Sequence, residues 1–223
     1  GLTIGVFATL IVWTSAYFTR DQIPYLKKIS DDLPAFSIKQ LASDILQCFK
    51  NKNYLWLLLG LLCLAATSGV RETMSAYVNL FYWELEPNQL RFFGLTTPIA
   101  FIIAFIATPR LHARFDKQNT MIGSVVVYVI ATTLPIVLRI LGLFPGNDHP
   151  ITFPLLAAFV VIYYGAVAIL SITVLSALAD VADDHELLTG RRQEGIFYSA
   201  RTFISKMTSG LGLLIGGIAI DVI

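Results

Sequence analysis

Charge is what this chain has least of. Only 14% of its 223 residues are Asp, Glu, Lys or Arg, 56% are apolar, and the mean hydropathy is +0.69. A water-soluble domain carries about a quarter charged residues, so the polar surface that one or two soluble domains of this length would need is missing. The net charge is +1, and nothing draws the chain to nucleic acid. Cysteine is scarce as well. Cys48 and Cys63 fall in different kinds of segment with no metal or redox spacing, and read as inert thiols. His185 does not make a metal site by itself, since no second ligand type stands at ligand spacing. No Gly-rich phosphate loop, Walker sequence or nucleophile elbow occurs, and the apolar runs hold no nucleophile–base pair. Those absences argue against an ATP-driven pump and against an intramembrane enzyme, and no cofactor is implied. The strict alternation over ~9–11 residues that marks a membrane β-strand is missing too.

Six apolar stretches remain, at 1–19, 54–81, 91–109, 120–143, 151–179 and 196–223. Each is close to or above the ~20 residues that span a bilayer as helix. Lipid offers no partner to an unpaired backbone group, so each is expected to be helical. The chain opens at Gly1 inside an apolar run without a basic n-region, unlike a signal peptide, and is expected to be a piece of a longer protein.

Three of the breaks between stretches are basic. Residues 20–53 hold Arg20, Lys27, Lys28, Lys39, Lys50 and Lys52; residues 110–117 hold Arg110, Arg114 and Lys117; residues 180–195 hold Arg191 and Arg192. The other two, 82–90 and 144–150, hold no Lys or Arg. The alternation follows the positive-inside rule and predicts that the three basic breaks are cytoplasmic. Within the first of them, 37–50 places Ile38, Leu41, Ile45 and Phe49 on one helical face, with Ser37 as cap. That pattern predicts a helix lying on the inner leaflet or a solvated linker helix.

Ionisable residues deep in a membrane helix cost at least ~2.5–3.5 kcal/mol to bury and are candidate functional groups for that reason. Lys206 lies ten residues into the last stretch, with Ser199, Thr202 and Ser209 at helical spacing and Arg201 and Ser205 alongside. Such a polar stripe is expected to line a watery cavity or to hold a buried ion pair. Arg71 and Glu72 sit past the middle of the second stretch, about 100° apart on a helix, and suit either a pathway or packing. Arg139, near a helix end, is expected to reach outward to water. Tyr163 and Tyr164 suit packing, or contact with a ligand. The densest charge lies between Asp180 and Glu194, with Asp183, Asp184 and Glu186 between them and Arg191 and Arg192 close by. It reads as a salt-bridge cluster or as an ordinary solvated loop. Glycines 210, 212, 216 and 217 predict close helix approach, including the Gly212-xxx-Gly216 spacing.

The run from Ala179 to Gly212, A-D-x-x-D-x-x-E-x-x-T-G-x-R-x-E-G-x-x-Y-S-x-x-T-F-x-x-K-x-x-S-G-x-G, resembles the segment joining helices ten and eleven of the glycoside–pentoside–hexuronide:cation symporters. This is the melibiose-permease-like branch of the major facilitator superfamily. Leu111-His-Ala-Arg114-Phe-Asp116-Lys117 resembles the basic turn between helices eight and nine. The resemblance implies an all-α polytopic membrane protein with the major facilitator fold. Residues 1–19 would be helix six, 20–53 the central cytoplasmic loop with its interfacial helix, and 54–223 helices seven to eleven, with helix twelve missing. It implies a small-molecule substrate (a sugar or sugar acid), a coupling Na⁺ or H⁺, and the N-terminal helix bundle of the same protein as partner, in the cytoplasmic (inner) membrane. By position, Lys206 and Thr202 match the substrate and cation pathway, and Asp180, Asp183, Glu186, Arg192 and Glu194 match a cytoplasmic gate. Arg201 stands where the melibiose-permease branch has glutamine, and Ser171 where it has a sugar-stacking tryptophan. An anionic sugar therefore fits better than a galactoside, with Arg71 a further pathway candidate. A lipid or lysolipid transporter of the same superfamily and a non-transporting membrane sensor are the alternatives.

The charge pattern makes the orientation testable. Single cysteines at Asn88 and Asn147 should be labelled from outside intact cells by an impermeant thiol reagent, and one at Gln193 should not. The reverse pattern would invert the orientation.

Overall fold

A chain this apolar has to satisfy its backbone N–H and C=O groups internally, and every regular element among the described residues is helical. The computed structural model describes residues 2–25, 37, 39, 43, 45, 46, 48–190 and 194–222. They fall into two units, Gly1–Gln40 and Leu41–Ile223.

The first unit holds α1, Leu2–Phe18, followed by a 3₁₀ turn at Arg20–Tyr25 that contains Pro24. Thr9, Thr14 and Thr19 return their hydroxyls to carbonyls four residues back, at 2.9, 2.7 and 2.8 Å. In this way even the polar side chains of α1 spend their donors on the helix itself. The segment 37–50 expected to form an amphipathic helix is only partly described. Ile38 and Leu41 of its apolar face lie outside the described residues, whereas Cys48 is buried and Phe49 packs beside it.

In the second unit, α2 runs over Lys52–Tyr77 and widens into a π-helical turn at Val78–Tyr82. Asn51 caps its start, its side-chain oxygen accepting from the backbone N–H of Asn53 and Tyr54 at 3.0 and 3.2 Å. The helical run Pro87–Ile140 is broken at Asp116, where φ is 65° and ψ is 165°. As one straight rod, 54 residues would reach about 80 Å, more than twice a bilayer core. It folds back instead as α3 (87–115) and α4 (117–140), so that Leu90 and Phe93 of one limb and Ile136 and Leu138 of the other meet in a single apolar cluster. The Asp116 carboxylate accepts from the Lys117 N–H at 2.6 Å, and Thr120 Oγ1 donates to the Asp116 carbonyl at 2.6 Å. These bonds restart the helix. Helices α5 (Thr152–Thr189) and α6 (Glu194–Val222) complete the unit.

Helix α5 packs along α3 and α4 over most of its length. Phe93 stacks on Phe153 at 5.6 Å, Gly165 opposes the Ala100 carbonyl, and His112 Nε2 lies 2.9 Å from Thr173 Oγ1. Helix α6 instead crosses α2. A Cβ on Gly212 would sit 2.5 Å from the Ala66 carbonyl, and one on Gly69 would sit 2.5 Å from the Ser209 carbonyl. Gly216 is closed off by the Thr73 side chain, where a Cβ would lie 2.8 Å from the Thr73 Cβ. Gly212 and Gly216 therefore act as the spacing predicts. Gly210 and Gly217 do not, having nothing within 4 Å, because they point away from the crossing.

The two ends of the unit are closed by different clusters. Trp83, Leu85, Phe144 and Leu156 are buried together at one end. Arg139 ties that end down, donating from Nη1 to the Pro145 carbonyl at 2.8 Å and from Nη2 to Asn147 Oδ1 at 3.1 Å, while Asn147 Nδ2 donates to the Tyr82 carbonyl at 3.1 Å. Its guanidinium reaches past the helix end and clamps the loop there. At the other end Cys48, Tyr54, Leu58, Leu178, Ala182 and Phe197 form the core, and Tyr54 donates to the Phe197 carbonyl at 2.8 Å.

Several boundaries differ from the expected ones, among them the start of α3 and the end of α5. Helix α3 begins at Pro87, its first turn held by the Gln89 side chain accepting from the Glu86 N–H at 2.9 Å. Helix α5 continues to Thr189 before Gly190 ends it in the left-handed region at φ 68°. No Gly or Pro interrupts 180–189, and a helix leaving an apolar layer tolerates carboxylates, so Asp180, Asp183 and Glu186 ride on helix and not in a loop. Among the described residues, four helical runs are long and apolar enough to cross a membrane: Lys52–Tyr82, Pro87–Ile140 (the α3–α4 pair), Thr152–Thr189 and Glu194–Asp221. Their outer surfaces match. Ile99, Ile102, Phe105, Ile122 and Ile130 are all exposed, a pattern suited to lipid and not to water.

The crossing of α2 and α6 has no room for a methyl group at Gly212, whereas Gly210 is open. In the full-length protein, Gly212→Ala should destabilise by about 1–3 kcal/mol and lower the thermal midpoint. Gly210→Ala, favoured by helix propensity, should leave it unchanged or raise it. Equal midpoints for both variants would show that the crossing is not tightly packed.

Candidate functional site: a polar cavity and a charged helix end

The candidate residues separate into three places. The first is a cavity of about 510 Å³ between α2, α3, α4 and α5, within the range of small-molecule sites. Its polar lining is Arg71, Glu72, Ser75, Asn79, Thr97 and Thr132. Its aromatic lining includes Trp83, Phe93, Phe159, Tyr163 and Tyr164. Arg71 lies 11 residues before Tyr82, roughly 16 Å along the helix, which is close to mid-depth. Its guanidinium carbon is 3.7 Å from the centroid of the Tyr163 ring. Tyr163 is itself buried, with Tyr128 and Tyr164 rings at 5.4 and 4.5 Å. Tyr163 thus packs among neighbouring rings and also carries the Arg71 guanidinium. Nothing in the sequence spacing pairs residues 71 and 163, which come from helices distant in the chain.

The second place is one face of α6. Tyr198, Ser199, Thr202, Phe203, Lys206 and Met207 line a shallow depression there, and Lys206 is exposed with no ion pair to any described residue. Three members of the expected stripe, Ser199, Thr202 and Lys206, share it. Ser209 does not: it lies at the α2 crossing, because the glycine contact turns that edge of α6 inward. Thr202 gives its hydroxyl to the Tyr198 carbonyl at 2.8 Å. Arg201 is half-buried, with its Nε shielded from solvent and making no hydrogen bond. Ser171 is half-buried on α5 and lines neither the cavity nor the depression. Lys206 and Arg71, grouped as one pathway in the sequence, line separate concavities in this unit.

The third place is the charged end. Lys117, at the start of α4, forms an ion pair with Asp180 on α5, the one ion pair among the described residues. Arg191 and Arg192 of the expected cluster lie outside the described residues, and the partner of Asp180 comes from the other turn, at residues 110–117. Asp183 is exposed, Glu186 is half-buried, and the Glu186 carbonyl accepts from the Gly190 N–H at 2.8 Å. Glu194 is half-buried in the first turn of α6. Arg192 lies outside the described residues. His185 is buried with its ring edge-on to Phe197 at 5.1 Å, which is a packing role. No group of His, Cys, Asp or Glu suited to a metal occurs among the described residues.

Long apolar helices around a polar cavity define a polytopic membrane protein. The family model described as MFS/sugar transport protein matches residues 1–223, and the chain belongs to that family. The chain is 21% identical over 170 residues to the isoprimeverose transporter of Lactiplantibacillus pentosus, an alignment covering 76% of this chain and 34% of that protein. It thus spans about a third of the length of the curated relative it matches. No solved structure matches it. It is an integral membrane protein of a transporter family and not an enzyme.

Lys117 and Asp180 are both partly solvated, at 33% and 60% side-chain exposure, so the pair should contribute only about 0–1 kcal/mol. A double-mutant cycle with Lys117→Ala and Asp180→Ala in the full-length protein should give a coupling no larger than that, falling with added salt. A coupling of several kcal/mol would mean that the pair is shielded from water.

Proposed function

We propose that the chain is the C-terminal half of a cation-coupled symporter that moves a sugar or sugar acid across the cytoplasmic membrane by alternating access. The observation that carries the reading is the polar, aromatic-lined cavity at mid-depth between α2, α3, α4 and α5. Secondary transporters place their substrate between two helix bundles at this level and rock the bundles about it. The name of the Lactiplantibacillus pentosus relative, an isoprimeverose transporter, supports a sugar as cargo. In this reading the helices number six to eleven of twelve, and the end holding Lys117 and Asp180 faces the cytoplasm, as the basic breaks require. The N-terminal bundle of the same protein covers the open side of the cavity.

The charged residues take different roles. Lys206 presents an ammonium on a face of α6 that has no carboxylate of its own. It is the candidate to meet a carboxylate of the N-terminal bundle, a substrate oxygen or water, and so to link ion and sugar. Lys117 and Asp180 form a weak surface pair. A pair worth so little is readily exchanged, which suits a cytoplasmic gate shared with Asp183, Glu186, Arg192 and Glu194.

Uptake of labelled sugars by full-length protein in vesicles, under imposed Na⁺ or H⁺ gradients, tests the reading. Lys206→Ala should abolish concentrative uptake while expression and insertion persist. Lys206→Arg should also be poor, since a planar fork does not replace a compact ammonium. Wild-type uptake per molecule in the alanine variant would end the coupling role, and no uptake of any sugar under either gradient would end the proposal.

A further inference from the structure

The second unit consists of two helix assemblies that meet along a seam. Helices α2 and α6 cross through Gly69, Gly212 and Gly216, while α5 packs along α3 and α4. At one end the assemblies are joined by Trp83, whose ring lies 5.2 Å from that of Phe144, and by the bond from Asn147 Nδ2 to the Tyr82 carbonyl. At the other end Tyr54, Leu58 and Phe197 are buried with Leu178 and Ala182, and the Tyr198 hydroxyl donates to the Leu175 carbonyl at 3.4 Å. Between these ends no hydrogen bond or ion pair joins the two assemblies among the described residues.

The bridge at mid-depth comes from one face of α2. Leu64 packs against the buried cluster of Tyr128, Ala131, Tyr163 and Ala166. Arg71, two turns further along, sets its guanidinium carbon 3.7 Å from the centroid of the Tyr163 ring. On either side of that bridge the packing opens. The cavity of about 510 Å³ lies on the Arg71 side. A second cavity, of about 790 Å³, lies on the Leu64 side, between Gly60 and Leu61 of α2 and Met121, Val125 and Val174 of α4 and α5. Protein interiors are otherwise close-packed, so the seam is where one assembly can shift against the other with the least loss of contact. A cation over an aromatic ring suits such a seam. It is worth a factor of only about two to thirty in an equilibrium constant, and the attraction persists to about 6 Å from the ring centroid.

We infer that Arg71 and Tyr163 form a releasable tie that positions α2 and α6 against α3, α4 and α5, and so sets the width of the cavity. Both act as positioning residues in this role, whatever molecule the cavity takes.

Double electron–electron resonance on the full-length purified protein in lipid nanodiscs reads the seam directly. One spin label sits on Cys63 of α2 and the other on Val129→Cys of α4, both at exposed positions, with other reactive cysteines removed. A control pair, Val129→Cys with Ile162→Cys, lies on exposed positions within one assembly. Arg71→Met and Tyr163→Leu should each raise the ratio of wide to narrow Cys63–Val129 distances by about two- to thirtyfold. The double variant should add nothing further, since both changes remove one interaction. Tyr163→Phe, which keeps a ring, should match wild type, and the control distance should stay fixed throughout. Arg71 is half-buried and borders a cavity, so Arg71→Met tests the tie without emptying the core. An unchanged distribution in Arg71→Met overturns the tie. So does a Tyr163→Phe variant that opens as far as Tyr163→Leu, because the hydroxyl and not the ring would then hold the seam. Equal widening of the control pair means general loosening and overturns it as well. None of these measurements needs a sugar or an ion gradient, so their failure would leave the symporter reading to its own test.

Discussion

Everything in this structure follows from a backbone that has no water to bond to. Helix is the answer for each long apolar stretch, and the remaining decisions concern where helices stop and how they touch. They stop where a side chain can take over an orphan backbone group: Asn51 at the start of α2, Gln89 at the start of α3, Asp116 between α3 and α4. The positive φ at Asp116 is sparsely populated for any residue but glycine. It is held between two helices that both pack on α5.

The same constraint explains the contacts. Apolar side chains gain nothing by leaving lipid for each other, so helix pairs in a membrane are selected by fit and by polar contacts. The two arrangements here differ accordingly. Helices α2 and α6 meet through Gly69, Gly212 and Gly216, with backbone nearly against backbone. Helix α5 meets α3 and α4 through larger surfaces: stacked phenylalanines near one end, His112 and Thr173 further along, and Lys117 with Asp180 at the other. The cavity opens between these two sub-assemblies, where neither kind of contact closes the gap.

Polar groups are then sorted by what they can pair with. Threonines such as Thr108 and Thr120 donate to carbonyls four residues back at 2.6 Å and disappear into their helices. Arg139 is absorbed by a loop. Arg71 is met by the Tyr163 ring alone, and Lys206 has no ion pair, among the described residues. Together with Arg201, whose shielded Nε makes no hydrogen bond, they are cations left without an ion pair among the described residues.

The sequence alone determined the membrane class, the helical state and the break near residues 110–117. Each depends on composition or on charge over a window of residues, which local pattern records. It also placed Lys206 and Thr202 on one face and singled out Gly212 and Gly216, since helical spacing is a local property. Tertiary structure decided who meets whom. Gly69 carries no signal in its own helix until Gly212 lies against it, Asp180 finds Lys117 across 63 residues, and Ser209 turns inward because its neighbours are needed at a crossing. The seat of Arg71 on Tyr163 was unreadable for the same reason. Residues 71 and 163 share no window and no periodicity, and only the packing of two distant helices brings a ring beneath a charge.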